Sequence, residues 1–129
     1  MSRKLYQIFL VILGLVPTIT GALTMMGIHD PLFASLDLPR SALLDSDLRF
    51  FGGVWLGLGL TVLATVRSVE KYFALYRVLW LMIFLGGIGR LLSIFIIGLP
   101  PIPFIGFTAL EIIGAPAFIY WHSRIAKQK

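Results

Sequence analysis

Four long runs of apolar residues alternate along the chain with short segments that are polar or rich in proline. The runs cover about residues 5–27, 48–66, 73–97 and 104–122. A helix needs about 20 apolar residues to cross the hydrocarbon core of a bilayer, and each run approaches or exceeds that length. The pattern therefore predicts an all-α polytopic membrane protein, a four-transmembrane-helix bundle in which residues 1–129 form a single domain.

The segment between the first two runs is the longest polar stretch of the chain. It opens with Asp30 and Pro31, a residue that caps free helix amides followed by one that suits the first helical position. We expect residues 31–37 to form either a short helix that lies flat at the outer membrane interface or, equally, a plain loop. The acceptor side chains of Asp45-Ser46-Asp47 then predict the cap of the second span, which would begin at Leu48.

The composition supports a location in the membrane. The 129 residues are 58% hydrophobic and only 13% charged, with a mean hydropathy of +0.93, whereas a soluble domain has about 45–50% apolar residues. The net charge of +5 does not indicate nucleic-acid binding, because the basic residues flank the apolar runs as the positive-inside rule describes. Since the turn at residues 98–103 carries no charge, we expect both termini in the cytoplasm. The basic flanks are Arg3/Lys4, Arg67/Lys71/Arg77 and Arg124/Lys127/Lys129.

One permanent cation, Arg90, lies well inside the third apolar run. A charge at that depth costs at least about 2.5 kcal/mol, so it normally faces a partner or a water-filled cavity. Glu111 is the matching carboxylate, because both residues stand eight positions from the turn at residues 98–103, about 12 Å below it on antiparallel helices. The sequence therefore predicts a direct Arg90–Glu111 ion pair. Pro116 would open the fourth helix one turn further in.

Small residues accompany the charged positions in two of the spans. On the second span they follow Arg49 at every fourth position, as Gly53, Gly57, Thr61 and Thr65. On the third span one helix face combines Gly86, Gly87, Arg90 and Ser93. Thin faces of this kind let another helix approach closely, which favours an inward-facing Arg90. Packing alone explains the glycines, and Arg49 has the alternative of extending to the lipid headgroups.

The chain carries none of the residue groupings that indicate catalysis or a cofactor. It has no cysteine, which excludes disulfides, thiolate metal sites and cysteine nucleophiles. It has no Ser/His/Asp grouping, metal-ligand cluster or glycine-rich phosphate loop, and His29 and His122 fall on opposite sides of the expected membrane. We therefore predict no enzyme activity, no cofactor and no metal.

Three motifs resemble those of a known family. They are Asp45-Ser46-Asp47-Leu48-Arg49-Phe50-Phe51-Gly52-Gly53, Gly87-Ile88-Gly89-Arg90-Leu91-Leu92-Ser93 and Leu110-Glu111-Ile112. Over nearly its whole length the chain resembles a family of small bacterial four-helix membrane proteins catalogued as domain of unknown function 4345, and more distantly the DoxX-like proteins. The resemblance implies a bacterial cytoplasmic (inner) membrane location, and it implies no biochemical activity.

Three functions remain open. The preferred one is an intramembrane binding module in which Arg49, Arg90, Glu111 and Ser93 bind an anionic amphipathic molecule or lipid, since guanidinium groups match carboxylate or phosphate and keep their charge when desolvated. The second is a structural or accessory subunit of a homo-oligomer or larger membrane complex. The third is a small proton-coupled transporter, although a fixed cation beside Glu111 favours its ionised form and argues against a proton carrier. The lipid bilayer is a partner in all three.

Overall fold

The computed structural model describes residues 2–127, which form helices and turns with no strand. Four helices are long and apolar enough to cross a membrane, by length and composition. This confirms the prediction of an all-α polytopic protein with four spans. Lys129, counted above with the C-terminal basic flank, lies outside the described residues. The four helices are α1 (Arg3–Thr24), α2 (Ala42–Thr65), α3 (Phe73–Ile96) and α4 (Ile102–Ala126).

The fourth helix is not uniformly α-helical. Its first part, Ile102–Ala109, and its last, Ala115–Ala126, are α-helical, but the turn between them, Leu110–Gly114, is a π-helix. Pro116 lies two residues after this turn, and its ring would clash with the carbonyl four residues earlier in a regular α-helix. The wider π turn relieves this clash. The opening expected near Pro116 therefore takes the form of a π turn, and Glu111 lies in it.

The chain divides into two compact units. The first is Lys4–Arg67, which contains α1 and α2. The second runs from Ser68 onward, contains α3 and α4, and also includes Arg3. The organisation of the whole chain as a single domain stays a prediction.

In the first unit, α1 and α2 approach until their backbones touch. The buried face of α1 includes Leu10, Gly14, Pro17 and Gly21, and Gly52 and Gly59 are buried on α2. A Cβ added at Gly59 would lie 2.6 Å from the amide nitrogen of Thr18, and one at Gly52 would lie 2.6 Å from that of Met25. Only glycine fits at these positions, as is common where membrane helices cross closely.

The small-residue ridge predicted behind Arg49 is not the face of α2 that meets α1. A Cβ added at Gly57 would meet nothing within 4 Å, and one at Gly53 would meet only the sulfur of Met25, at 4.0 Å. Residues four apart drift by about 40° per step around a helix, whereas residues seven apart stay within about 20°. Gly52 and Gly59, which are seven residues apart, therefore form the stripe that packs against α1.

The connection from α1 to α2 confirms one predicted cap and corrects the length of the helix after it. Asp30 caps as expected, because its Oδ1 accepts from the amide of Leu32 at 2.8 Å. Its other oxygen, Oδ2, accepts from the hydroxyl of Thr24 at 2.8 Å. The helix that follows, Pro31–Phe33, is a 3₁₀ helix and ends four residues short of Asp37, since the strained hydrogen bonds of a 3₁₀ helix rarely persist beyond about four residues.

The second span begins six residues earlier than predicted, at Ala42 instead of Leu48. The cap is Ser41, whose hydroxyl oxygen accepts from the amide of Leu44 at 3.3 Å. The aspartates at 45 and 47 therefore lie within the helix.

His122 ties the end of α4 to the turn before α3 in the second unit. The residue is buried, with 1% of its surface exposed, and its Nε2 donates to the carbonyl oxygen of Val69 at 2.8 Å. Its ring contacts those of Phe73 and Tyr76, with centroids 5.1 and 5.3 Å away. These contacts give His122 a packing role at this end of the unit.

Candidate functional site

Arg90 and Glu111 meet inside the second unit. Arg90 Nε lies 3.0 Å from Oε2 and 3.3 Å from Oε1 of Glu111. Gly87, one turn before Arg90, brings the two helices together, because a Cβ added there would lie only 2.7 Å from Glu111 Cβ. The bare backbone at Gly87 therefore lets α4 approach closely enough for the two charges to pair.

Glu111 is held on the π turn of α4 with only 8% of its side chain exposed. Pro116 lacks an amide hydrogen, so the carbonyls four and five residues before it, those of Ile112 and Glu111, cannot accept a helical bond from it. The regular α-helical hydrogen-bond pattern is therefore interrupted at the turn that carries Glu111. Turns of this type are frequent at functional sites of helical proteins.

Arg90 uses only one of its three nitrogens on Glu111. Neither Nη group donates a hydrogen bond to any of residues 2–127, and 41% of the side chain is exposed. The Cζ atom lies 5.8 Å from the centroid of the Phe104 ring, within the range of a cation–π contact. As expected, Nε of Arg90 faces inward, toward Glu111, but the guanidinium group as a whole is only partly covered.

Ser93 adds a hydroxyl one turn from Arg90, toward the end of α3. It is exposed, and its hydroxyl makes no hydrogen bond within the described part of the chain. Thr108 and Ser123 on α4 differ, because each donates to the carbonyl four residues back, at 2.8 Å. A Cβ added at Gly86 would meet nothing within 4 Å. The donors of Arg90 and Ser93 thus lie beside a stretch of α3 that the protein leaves open.

Arg49 belongs to a separate network within the first unit. Its Nε donates to Oδ2 of Asp45 at 2.7 Å, and its Nη1 donates to the carbonyl oxygen of Met25 at 2.9 Å. Oδ1 of Asp45 also accepts from the amide of Ile28 at 3.0 Å. The Met25 carbonyl follows the end of α1, where carbonyls lack helical partners. Arg49 therefore joins the start of α2 to the end of α1.

This network contradicts the expectation that Asp45 contributes to the cap of the second span. Because Ser41 is the cap, the carboxylate of Asp45 lies four residues before Arg49 on the surface of α2, the spacing at which opposite charges pair. Gly27 permits the contact between Asp45 and Ile28, since it adopts a φ of 67° and a Cβ there would collide with the Asp45 carboxylate. Arg49 consequently contributes no surplus charge.

Of the predicted site residues, the structure brings Arg90 and Glu111 together, with Ser93 one turn away. Phe104 is a neighbour that the charge pattern alone does not reveal, although its spacing of seven residues from Glu111 was available in the sequence and places both near one helix face. Among residues 2–127, no group of three or more His, Cys, Asp or Glu residues could hold a metal ion. The site therefore offers charged and hydroxyl hydrogen-bond donors.

One family model, described as Domain of unknown function (DUF4345), matches residues 5–122. The chain belongs to this family. The resemblance noted in the three motifs is thereby confirmed, and the matched DUF4345 region includes Arg49, Arg90, Ser93 and Glu111. Membership of DUF4345 assigns no activity. Neither the curated proteins nor the solved structures include a match to the chain.

Proposed function

We propose that this protein binds an anionic amphipathic molecule within the membrane, with Arg90 as the primary contact. The observation that carries the proposal is the Arg90 guanidinium, which contacts Glu111 through Nε and makes no hydrogen bond through Nη1 or Nη2 among residues 2–127. Two such N–H groups match the two oxygens of a carboxylate, sulfonate or phosphate. An anionic head group would offset the cost of keeping these donors unfilled in an apolar environment.

The surroundings of Arg90 favour a ligand with a hydrocarbon chain. Arg90 stands six residues before the end of α3, about 9 Å along the helix axis. Most side chains between it and the following turn are exposed and apolar, so an anion reaching the site is best accompanied by an apolar tail. These exposed residues are Leu91, Leu92, Phe95, Ile96 and Ile97.

We infer that the protein resides in the cytoplasmic (inner) membrane of a bacterium with both termini in the cytoplasm. The four long apolar helices and the basic residues beside them support this inference. The participation of Arg49 in binding stays a prediction. We assign the main role to Arg90 because Asp45 already matches the charge of Arg49.

A direct binding measurement tests the proposal. The protein, reconstituted in nanodiscs of zwitterionic lipid, is titrated with a long-chain alkyl sulfonate, and calorimetry should show saturable binding that the alcohol of the same chain length lacks. The variant Arg90→Gln/Glu111→Gln removes both charges without leaving one unpaired, and it should lose binding. Arg77→Gln is the matched control, because Arg77 lies on the same helix but contacts Ser123, and it should retain binding.

The proposal is wrong if the double variant keeps the thermal midpoint of the wild type and binds the sulfonate equally well. Arg49→Gln in the same assay tests the wider site, since loss of binding there would add Arg49 to the contacts. Nanodiscs containing phosphatidylglycerol separate the two sources of ligand. A weaker apparent affinity for the sulfonate in them indicates that an anionic bilayer lipid occupies the site, whereas an unchanged affinity indicates a single-chain amphiphile.

A structural or accessory subunit is the second candidate function that we propose. The observation that favours it is the open space at four glycines, where an added Cβ would meet at most one atom, at 4.0 Å. These are Gly53, Gly57, Gly86 and Gly89. Native mass spectrometry of the protein purified in mild detergent tests this candidate: a stable complex that Gly57→Leu dissociates would support it, and a monomer in both cases would contradict it.

A further inference from the structure

We infer that binding of an anion at Arg90 is coupled to uptake of one proton by Glu111. The inference rests on the proposed function and adds a regulatory property to it. In the free protein Glu111 is the ionised partner of Arg90. When the anion binds to the two Nη groups, the Glu111 carboxylate accepts a proton from solvent, and the site as a whole keeps the same net charge.

The charge balance of the pair carries the first step of the argument. Arg90 and Glu111 together are neutral, with Nε 3.0 Å from Oε2. A bound anion would give the group a net charge of −1, although Glu111 has only 8% of its side chain exposed. An uncompensated charge in an apolar environment is strongly disfavoured. One proton on Glu111 removes it.

The geometry of the guanidinium carries the second step. Nε contacts Glu111, and the Nη groups that remain for the anion belong to the same small planar group. The anion and the Glu111 carboxylate would therefore be separated by no more than the width of one guanidinium. Two anionic groups that share a site disfavour double ionisation, so one of them takes up a proton. A sulfonate stays ionised under these conditions, which leaves Glu111 as the acceptor.

No other ionisable group on the two helices of this unit is close enough to take the proton or to supply a second positive charge. The nearest one to Glu111 along α4 is Tyr120, nine residues away, or about 13 Å. The nearest one to Arg90 along α3 is Arg77, thirteen residues away, or about 20 Å. The remaining groups on α3 and α4 lie further along the same helices: Tyr76, His122 and Arg124.

Calorimetry with the alkyl sulfonate tests the coupling. Titrations in two buffers of different ionisation enthalpy give the number of protons bound with each sulfonate. The wild type should take up about one, and its affinity should fall by up to about tenfold per unit rise in pH. Glu111→Gln should bind more tightly at high pH and take up none. Glu70→Gln is the matched control, because Glu70 pairs with Arg3 away from the site, and it should still take up about one.

The outcomes separate this inference from the proposed function. Sulfonate binding by the wild type without proton uptake overturns the coupling and leaves the binding function standing. Proton uptake that persists in Glu111→Gln overturns the coupling as well, because another group then carries the proton. Absence of any sulfonate binding by the wild type overturns the proposed function itself.

Discussion

Replacing Gly59 with alanine perturbs one of the closest helix contacts of the first unit. A Cβ there would lie 2.6 Å from the amide nitrogen of Thr18 and 2.7 Å from the carbonyl oxygen of Gly14. Both atoms belong to the backbone and cannot rotate away. To restore an ordinary contact of about 3.5 Å, α1 and α2 must therefore move apart by roughly 0.9 Å.

The packing lost by this separation lowers the free energy of unfolding by more than the higher helix propensity of alanine raises it. Overpacking typically costs about 1–3 kcal/mol, and a gap of roughly 0.5–1 Å forfeits a quarter to a half of the dispersion energy of the contacts that it opens. The close approach at Gly52 would be opened by the same movement, so the upper part of that range applies. Alanine offsets up to about 1 kcal/mol through its helix propensity. We expect the free energy of unfolding to fall by about 2 kcal/mol.

Gly57→Ala is the matched control for this change. The position lies two residues away on the same helix, and its added Cβ would meet nothing within 4 Å. The free energy of unfolding should stay the same or rise by less than about 1 kcal/mol. Titration with sodium dodecyl sulfate in mixed micelles, followed by circular dichroism, measures both variants. Equal changes for Gly59→Ala and Gly57→Ala would refute the close contact between α1 and α2.

The charged residues and the loops lead to three more expected outcomes. Arg90→Met should lower the free energy of unfolding by about 3 kcal/mol because it strands a buried carboxylate, whereas Arg90→Met/Glu111→Met should be nearly neutral; an unchanged thermal midpoint for the single variant would rule out the pair. Arg49→Gln should lower the thermal midpoint, since the Met25 carbonyl and the Asp45 carboxylate lose their donor, and thermal melts in detergent that match the wild type would contradict that network. For topology, an impermeant thiol reagent added to spheroplasts should label Ser35→Cys and spare Ser68→Cys; the opposite labelling would place the termini outside.

The spans and the Arg90–Glu111 pairing follow from information that is local in the sequence. The length of an apolar run decides whether a helix can cross a membrane, and this property needs no tertiary contact. Arg90 and Glu111 lie the same number of residues from one short turn. Two antiparallel helices joined by that turn therefore place them at the same depth. The three-residue 3₁₀ helix after Asp30 was harder to predict, because the cap signal marks where a helix begins and not how long it persists.

The start of α2 depended on tertiary contacts. Four acceptor side chains, Ser41, Asp45, Ser46 and Asp47, lie near the beginning of that helix, and each type can cap free amides. Asp45 is occupied by Arg49 and by the amide of Ile28, seventeen residues away in the chain. Ser41 is therefore the cap. The sequence alone cannot predict this, because it depends on where the end of α1 lies.

The face of α2 that packs was likewise decided only by the tertiary structure. The helix carries two glycine stripes, Gly53 with Gly57 and Gly52 with Gly59, and their mean directions differ by a rotation of about 130° around the helix axis. Helix propensity and hydropathy are the same for both stripes, because both consist of glycine. What distinguishes them is the backbone of α1, which lies against Gly52 and Gly59 and leaves Gly57 open. The sequence by itself determined that a close helix contact was available, and the packing of α1 determined where it formed.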